Sequence, residues 1–227
     1  MKLSWLAPAA VLVASVSAQA AEVSSSVTMT NDYRFRGVSQ TSGDPAVQAS
    51  IDVGFDNGVY AGIWGSNVNF GDSDNANLEV DYYVGKYGEI TDELGYDANI
   101  YYFQYHGYTD GTDIDFFELD FRLSYKDFTA LYAYAPDYIN SDQDYHYLAL
   151  DYSTSITEAV NLDLHAGYTF GEYYEDLDAE YADYSVGISG STAVLDLSVA
   201  YLFNDVKGSK TDDLDDNTVV FSVSRTF

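Results

Sequence analysis

The sequence predicts an all-β protein: a transmembrane antiparallel β-barrel of about 12 strands, with short periplasmic turns and longer acidic extracellular loops. Three observations favour this fold class. Apolar and polar residues alternate with a period of two, long and short connections alternate along the chain, and the chain ends on an aromatic residue. The composition agrees, because 47% of the 227 residues are hydrophobic and 16% are aromatic, too many for a disordered acidic chain.

The first twenty residues have the pattern of an export signal. Lys2 supplies a positive charge, Leu3–Val16 is an apolar run, and Ala18–Ala20 has small residues at the cleavage positions. The run is too short for a membrane-spanning helix, which needs about 20 apolar residues. We therefore predict a signal peptide over residues 1–20 and an outer-membrane β-barrel over residues 21–227.

Period-two alternation marks the strands. Phe117–Tyr125 and Val160–Phe170 alternate apolar with polar residues throughout, as strands with one apolar and one polar face do. The predicted strands are 23–36, 46–55, 59–67, 77–87, 96–106, 116–125, 128–135, 145–155, 159–170, 182–190, 193–204 and 216–227. Three of them (59–67, 96–106 and 128–135) are apolar or aromatic on both faces, so the pattern does not assign their inward face.

The connections alternate in length. Short turns at 56–58, 126–127, 156–158 and 191–192 separate connections of nine to eleven residues, and 88–95 is predicted as a longer exception. Of the 37 Asp and Glu residues, 18 fall in the long connections, so one end of the barrel is acidic. Outer-membrane barrels have this asymmetry. A soluble β-sandwich, with its apolar faces inside and its acids in solvent, is the alternative fold.

The last strand carries an expected assembly signal. Val219, Phe221 and Val223 share parity with the terminal Phe227. This pattern resembles the C-terminal strand that the outer-membrane assembly machinery recognises in bacterial barrels. We predict that Phe221, Val223 and Phe227 form that signal, while an ordinary edge strand that ends in Phe is the alternative.

The polar faces carry charged residues, which a closed barrel would direct into a wet lumen. An unpaired charge in a dry core would cost several kcal/mol. The predicted lumen or constriction residues are Arg34, Arg36, Arg122, Asp32, Asp52, Glu79, Asp81, Glu118, Asp120, Asp151, Asp163 and His165. Parity on the first strand places Tyr33 and Phe35 toward lipid. Arg34 and Arg36 either pair with wall acids or form a constriction that sets which solute passes.

Charge bounds the function. The formal net charge is −28, so nucleic acid is excluded as a partner, and cysteine is absent. A lumen with about three acids per base favours cations. We predict a narrow, weakly cation-preferring channel for passive diffusion of small solutes or ions. The alternative is a non-conducting structural or adhesive barrel that presents acidic loops.

Catalytic and metal sites find weaker support. His106 and His146 end predicted strands on the long-loop side, but no nucleophile motif accompanies them, so we predict no enzyme and no cofactor. Alternating acids at 72–74 and 142–144 do not fit the twelve-residue calcium loop, and we predict no metal site. The acidic segment 172–183 is read as a solvated loop, with loose Ca²⁺ or Mg²⁺ bridging to lipopolysaccharide phosphates as the alternative.

The sequence also resembles the TorF-type putative porins. The resemblance is strongest in NDYRFRGVSQT (Asn31–Thr41), in Pro45–Gln48 and in YAGIWGSNVNF (Tyr60–Phe70), and continues in LEVDYYVGKYG (Leu78–Gly88) and the terminal VSRTF (Val223–Phe227). It implies an outer-membrane barrel of a Gram-negative bacterium, a presumed pore and no catalytic residues. The expected partners are outer-membrane lipid, lipopolysaccharide, the barrel assembly machinery and the solutes themselves.

Overall fold

Twelve antiparallel strands close into one barrel. The computed structural model describes residues 21–71, 76–108, 113–206 and 217–227, and the predicted signal peptide lies outside them. The barrel strands are β1 (Ala21–Thr30), β4 (Ala46–Phe55), β5 (Val59–Asn67), β6 (Leu78–Thr91), β7 (Leu94–His106), β8 (Phe116–Tyr125), β9 (Phe128–Ala135), β10 (Tyr145–Ser155), β11 (Asn161–Phe170), β12 (Tyr181–Ser191), β13 (Asp196–Asn204) and β14 (Thr218–Thr226). The predicted fold class and strand number are confirmed.

Each strand pairs with its neighbours in the chain, and the first strand closes the ring. β1 pairs with both β4 and β14, with Val27 opposite Ala49 on one side and Arg225 on the other. A closed ring leaves no edge strand with unpaired backbone groups. A sheet in lipid must be closed in this way, because the bilayer core offers no water to hydrogen-bond free N–H and C=O groups. Two further short strands, β2 (Arg34–Phe35) and β3 (Val38–Ser39), form a separate hairpin.

The alternation of connections is confirmed, with one correction. Five connections contain two to five residues, and the others contain nine to fifteen. The predicted long connection at 88–95 is wrong. The ladder between β6 and β7 continues through the pairs Gly88–Tyr96 and Glu89–Gly95, so that the connection is the two-residue turn 92–93. Backbone pairing thus extends the strands through glycines that the sequence pattern reads as turn residues.

Among the described residues, helical structure occurs only in the long connections. A single 3-10 turn spans Tyr138–Asn140, and a five-residue helix, α1, spans Glu172–Asp176. Within the described residues, no helix has the length and apolar character needed to cross a membrane.

The two faces of the wall differ as the alternation predicts. Outward side chains are apolar and exposed, as at Met29 (61%), Ile51 (62%) and Val84 (51%), and inward carboxylates such as Glu79 and Glu118 are buried at 1% exposure. An apolar band facing outward suits lipid. At the long-loop end, however, aromatic and small residues fill the lumen as a buried cluster: Phe103, Phe116, Ala133, Ala135, Tyr145, Tyr147 and Ala149.

The first predicted strand, 23–36, is wrong beyond Thr30. The chain leaves the wall there and folds into the barrel as a segment, residues 31–41, that we call the lumen hairpin; β2 and β3 are its two strands. Arg36 (φ 51°) and Gly37 (φ 83°) make its reverse turn. Tyr33 and Phe35 are therefore not lipid-facing. Their rings pack inside the barrel, 5.4 Å from Trp64 and 5.9 Å from Phe103 between ring centroids.

Candidate functional site

The tip of the lumen hairpin is tied to wall strands other than the two that the hairpin connects. Arg36 donates to Glu118 on β8 and to the Tyr145 hydroxyl on β10 (2.6 Å). The hydroxyl of Tyr181 on β12 donates to the Arg36 carbonyl (3.0 Å), and Asn204 Nδ2 on β13 donates to the Gly37 carbonyl (3.0 Å). Four strands of the wall therefore hold the tip of one loop.

The Arg36 guanidinium lies between a carboxylate and three rings. Its two terminal nitrogens reach the two Glu118 oxygens at 2.6 and 2.7 Å, the bidentate geometry that arginine favours. The guanidinium carbon lies 4.5 Å from the ring centroids of Phe35 and Tyr147 and 5.1 Å from that of Tyr145. Burial disfavours this charge, but Glu118, Tyr145 and Asp120 together outweigh burial and raise the pKa of Arg36. The guanidinium is a permanent charge.

Asp32 holds the base of the lumen hairpin. Its carboxylate, 2% exposed, accepts from Arg34 Nε at 2.5 Å, from the Ser39 hydroxyl at 2.5 Å and from the Thr41 hydroxyl at 3.3 Å. Arg34 also donates to the Gly37 carbonyl at 3.2 Å. The two strands of the lumen hairpin are thus fastened to each other by side chains as well as by backbone.

A cavity of about 680 Å³ lies in the lumen against the lumen hairpin, and we call it the lumen cavity. Nine of the twelve predicted lumen residues line it: Arg34, Arg36, Asp52, Asp81, Glu118, Asp120, Arg122, Asp151 and His165. Its volume is in the range of small-molecule sites, which hold roughly 300–1,000 Å³. The structure therefore brings most of the predicted charged residues together around one cavity.

The other three predicted residues point inward but do not line the lumen cavity. Asp32 is enclosed within the lumen hairpin. Glu79 is 1% exposed and accepts from the Tyr105 hydroxyl at 2.9 Å. Asp163 lies close to the short-turn end of β11, where the Ser153 hydroxyl donates to it at 2.6 Å.

Most charges of the lumen cavity are paired. Arg122 donates to Asp120 at 2.8 Å, and Arg36 lies 3.9 Å from the same carboxylate. On the opposite side, the Nδ1 and Nε2 atoms of His165 lie 2.6 and 2.9 Å from carboxylate oxygens of Asp151 and Asp183. An imidazole flanked in this way bridges two wall strands.

Asp183 was missed by the sequence reasoning, although its signal was present. It shares parity with Ser185, Gly187 and Ser189, the polar face of β12, and it is 3% exposed. The polar-face rule that selected the other acids applies to it unchanged.

The aromatic lining was missed for a different reason. Trp64, Tyr83, Tyr101, Phe103 and Tyr147 also line the lumen cavity. Three of these rings belong to strands with two apolar faces, which the alternation could not orient. Glycine makes room for one of them, because a Cβ atom at Gly62 would clash with the ring of Tyr83, whose hydroxyl donates to Asp52.

The two histidines considered for catalysis lie elsewhere. His146 packs against the rings of Tyr134 and Phe170 and lies 3.5 Å from Asp144, away from the lumen cavity, and His106 is exposed. Within the described parts of the chain, no group of three or more His, Asp or Glu is placed to hold a metal ion. The acids at 72–74, which were considered as calcium ligands, lie outside the described residues.

The predicted assembly-signal residues face outward at the barrel seam. Phe221 and Phe227 are 49% and 65% exposed, and Val223 pairs with Met29 of β1. The backbone of Phe227 exchanges hydrogen bonds with Ser25 at 2.8 and 3.3 Å. Their role in assembly stays a prediction.

The sequence comparison identifies a family. The model described as "Bacterial protein of unknown function (Gcw_chp)" matches residues 14–227. No curated protein matches the chain.

The barrel is similar to solved porins. The NanC porin structure in its rhombohedral crystal form has a TM-score of 0.58 at 13% identity, over 89% of this chain and 98% of that chain. The KdgM porin has a TM-score of 0.53 at 9% identity, over 92% and 98%. The KdgM porin in complex with disordered oligogalacturonate has a TM-score of 0.54 at 8% identity, over the same shares. At identities this low, the structural similarity shows the fold alone.

Proposed function

We propose that this chain, which belongs to the Gcw_chp family of bacterial proteins of unknown function and has the barrel fold of outer-membrane porins, is a narrow outer-membrane channel. It allows passive diffusion of small solutes or ions and weakly prefers cations. The resemblance to TorF-type putative porins, which stays a prediction, supports the same function.

The charge of the lumen cavity carries the proposal. Its lining includes six carboxylates, against three guanidinium groups and one imidazole. Among the described residues, no ion pair includes Asp52 or Asp81, so these two carboxyl groups lack a basic partner. Carboxylates along a pore favour cations.

The lumen hairpin supports the narrow bore and is the proposed constriction. Arg36 and Glu118, which meet inside the barrel, have side chains only 7% and 1% exposed. Any solute that passes on this side must go around a fixed ion pair. The sequence analysis left two roles for the arginines: pairing with wall acids, or forming a constriction. The proposal combines them, because the ion pair with Glu118 holds Arg36 in place at the constriction.

An acidic sugar fits the lumen cavity less well than a cation does. The KdgM porin was solved with oligogalacturonate, a polyanion. In this chain the arginines of the lumen cavity bind carboxylates: Arg34 to Asp32, Arg36 to Glu118, and Arg122 to Asp120. An anionic ligand would have to break these pairs and approach further carboxylates.

A closed barrel is the second candidate function. It is favoured by the buried aromatic cluster and the lumen hairpin, which together fill the lumen at the long-loop end. Such a barrel would be structural or adhesive and would present its acidic loops outside the cell.

Planar-bilayer recordings under a KCl gradient test the proposal. We expect discrete conductance steps with a cation-selective reversal potential, and we expect Asp52→Asn with Asp81→Asn to move that potential toward zero. The matched control is Asp127→Asn with Glu158→Gln, which changes the net charge equally at exposed turn positions. An anion-selective sign contradicts the cation preference, and an absence of conductance favours the closed barrel.

Location and partners follow as part of the proposal. A protein of this fold with an apolar outer band is proposed to lie in the outer membrane of a Gram-negative bacterium, in contact with lipid and lipopolysaccharide. Its other proposed partners are the barrel assembly machinery and small solutes or ions, and neither nucleic acid nor catalysis is part of the proposal.

A further inference from the structure

Asp81 is a buried carboxyl group that has no ion pair with the described residues. It is 6% exposed and lines the lumen cavity, and its Oδ1 atom has no hydrogen-bond partner among the described residues. The other acids of the lumen cavity differ, because Glu118 and Asp120 form ion pairs with Arg36 and Arg122 at 2.6 and 2.8 Å, and Asp52 accepts from the Ser50 hydroxyl at 2.7 Å. A buried ionised carboxylate is costly unless a cation or donor meets it. Asp81 is therefore the position in the lumen cavity that a ligand would complete.

Aromatic rings flank this carboxylate on both sides. In the strand register Asp81 is opposite Trp64 on β5 and opposite Phe103 on β7. Side chains directly opposite across a strand pair have Cβ atoms about 4.5–5.5 Å apart, so both rings are immediate neighbours. The ring of Tyr33 lies 5.4 Å from that of Trp64, and the ring of Tyr101 lies 5.6 Å from that of Phe103.

Rings and a carboxylate together select a particular chemistry. The faces of aromatic rings attract cations, and they also pack against alkyl groups; recognition of quaternary ammonium groups by aromatic cages uses both properties. A carboxylate amid these rings adds full charge complementarity. An anion would meet Asp81, and a neutral apolar molecule would leave the carboxylate unpaired.

We propose that the lumen cavity binds a small organic ammonium ion, with the ammonium group at Asp81 and its alkyl part against Trp64 and Phe103. The inference rests on the proposed cation preference of the channel and names the class of solute. It does not require an open pore, since binding is an equilibrium property.

The sequence provides a direct probe of binding. The chain has two tryptophans, and Trp5 lies in the predicted signal peptide, so in a Trp5→Phe chain Trp64 is the only tryptophan, whether or not the signal is removed. Choline chloride is titrated into this protein in detergent micelles, with KCl at the same ionic strength as the reference. We expect a saturable change in Trp64 emission with choline and none with KCl.

Variants of the same chain identify the carboxylate. Asp81→Asn should weaken choline binding by about tenfold or more, the equivalent of one charge-assisted contact. Asp81→Glu, which keeps the charge, should retain more of the affinity. Asp127→Asn, an exposed turn position, should leave the dissociation constant unchanged. A folded barrel in detergent commonly migrates differently on a gel before and after boiling, and this difference is used to check that each variant is folded. Isothermal titration calorimetry gives a second measure of affinity.

The outcomes separate this inference from the proposed function. If choline does not saturate the emission change, or if Asp81→Asn binds it as the parent does, the inference is overturned even when the pore is cation-selective. An equal response to KCl also overturns it, because the site would then take any cation. If choline binds at Asp81 but bilayers show no conductance, the binding site stands and the channel function fails.

Discussion

The guanidinium of Arg36 and the carboxylate of Glu118 form a bidentate ion pair inside the barrel, although the two residues are 82 positions apart in sequence. Arg36 lies in the first long loop, which follows β1. Glu118 lies on β8, which is five places from β1 in the ring of twelve strands. The pair therefore joins a loop to nearly the opposite side of the lumen.

Removing the guanidinium should both destabilise the barrel and widen its bore. Arg36→Ala leaves Glu118 buried without its main partner, which costs about 3–5 kcal/mol in comparable buried pairs. We expect a lower free energy of unfolding in urea titrations in micelles and a larger single-channel conductance. Arg122→Ala is the control, since its side chain is 32% exposed and its partner Asp120 keeps Arg36 nearby. A conductance that rises equally in both variants would contradict a specific role for Arg36.

The turn of the lumen hairpin should not tolerate a side chain at Gly37. A Cβ atom there would lie 2.5 Å from the Cβ of Asp183, and the residue has φ +83°. Gly43 has a similar φ of +77° with nothing within 4 Å of its Cβ position. Gly43→Ala should cost about 1–2 kcal/mol for the left-handed backbone alone. Gly37→Ala should cost clearly more and should alter conductance. The temperature at which each variant changes its migration on a gel measures its stability. An equal loss of stability in Gly37→Ala and Gly43→Ala would refute the steric argument.

His165 should contribute to stability through Asp183. The imidazole joins Asp151 and Asp183 at 2.6 and 2.9 Å, and Asp183 is 3% exposed, so His165→Leu would leave a buried carboxylate with the Tyr147 hydroxyl as donor. We expect a loss of about 1–3 kcal/mol in the free energy of unfolding. His146→Leu, on the outer face, should change it by far less. If the two substitutions cost the same, the bridge between the wall strands contributes nothing.

Phe227 should matter for assembly more than for stability. Its side chain is 65% exposed, whereas its backbone pairs with Ser25. Phe227→Ala keeps that pairing, so we expect a reduced yield of assembled barrel in the outer membrane with little change in the thermal stability of what does assemble. Phe117→Ala removes an outward ring that is 59% exposed in the middle of the chain and serves as control. Similar yields of the two variants would argue against a terminal assembly signal.

Sequence reasoning predicted the bounds of many strands, but it assigned their inward face only where one face meets lipid and the other meets charge. Strands β4, β5, β8, β9 and β10 begin and end where the alternation predicts. On the wall strands the alternation also selected the charged residues that line the lumen cavity, apart from Asp183, since a charge has only one acceptable side of a barrel wall.

The same rule failed where aromatic residues face inward. In Asn31–Thr41 the alternation of Tyr33, Arg34, Phe35 and Arg36 continues that of β1. Polarity alone therefore could not show whether the two aromatic rings face lipid or pack inside the lumen. Only tertiary contacts distinguish them: Tyr33 with Trp64, and Arg36 with Glu118. The reverse turn at Gly37 was the one local sign that the strand had ended.

The lumen hairpin also constrains the order of events in folding. It belongs to the first part of the chain to be made, yet its partners Glu118, Tyr145, Tyr181 and Asn204 follow 82 to 167 residues later. Contacts between such distant segments form late, because the intervening chain must first be ordered. The wall must therefore be nearly complete before this loop docks, and we expect a newly inserted barrel to pass through a stage in which the lumen hairpin does not yet cross its bore.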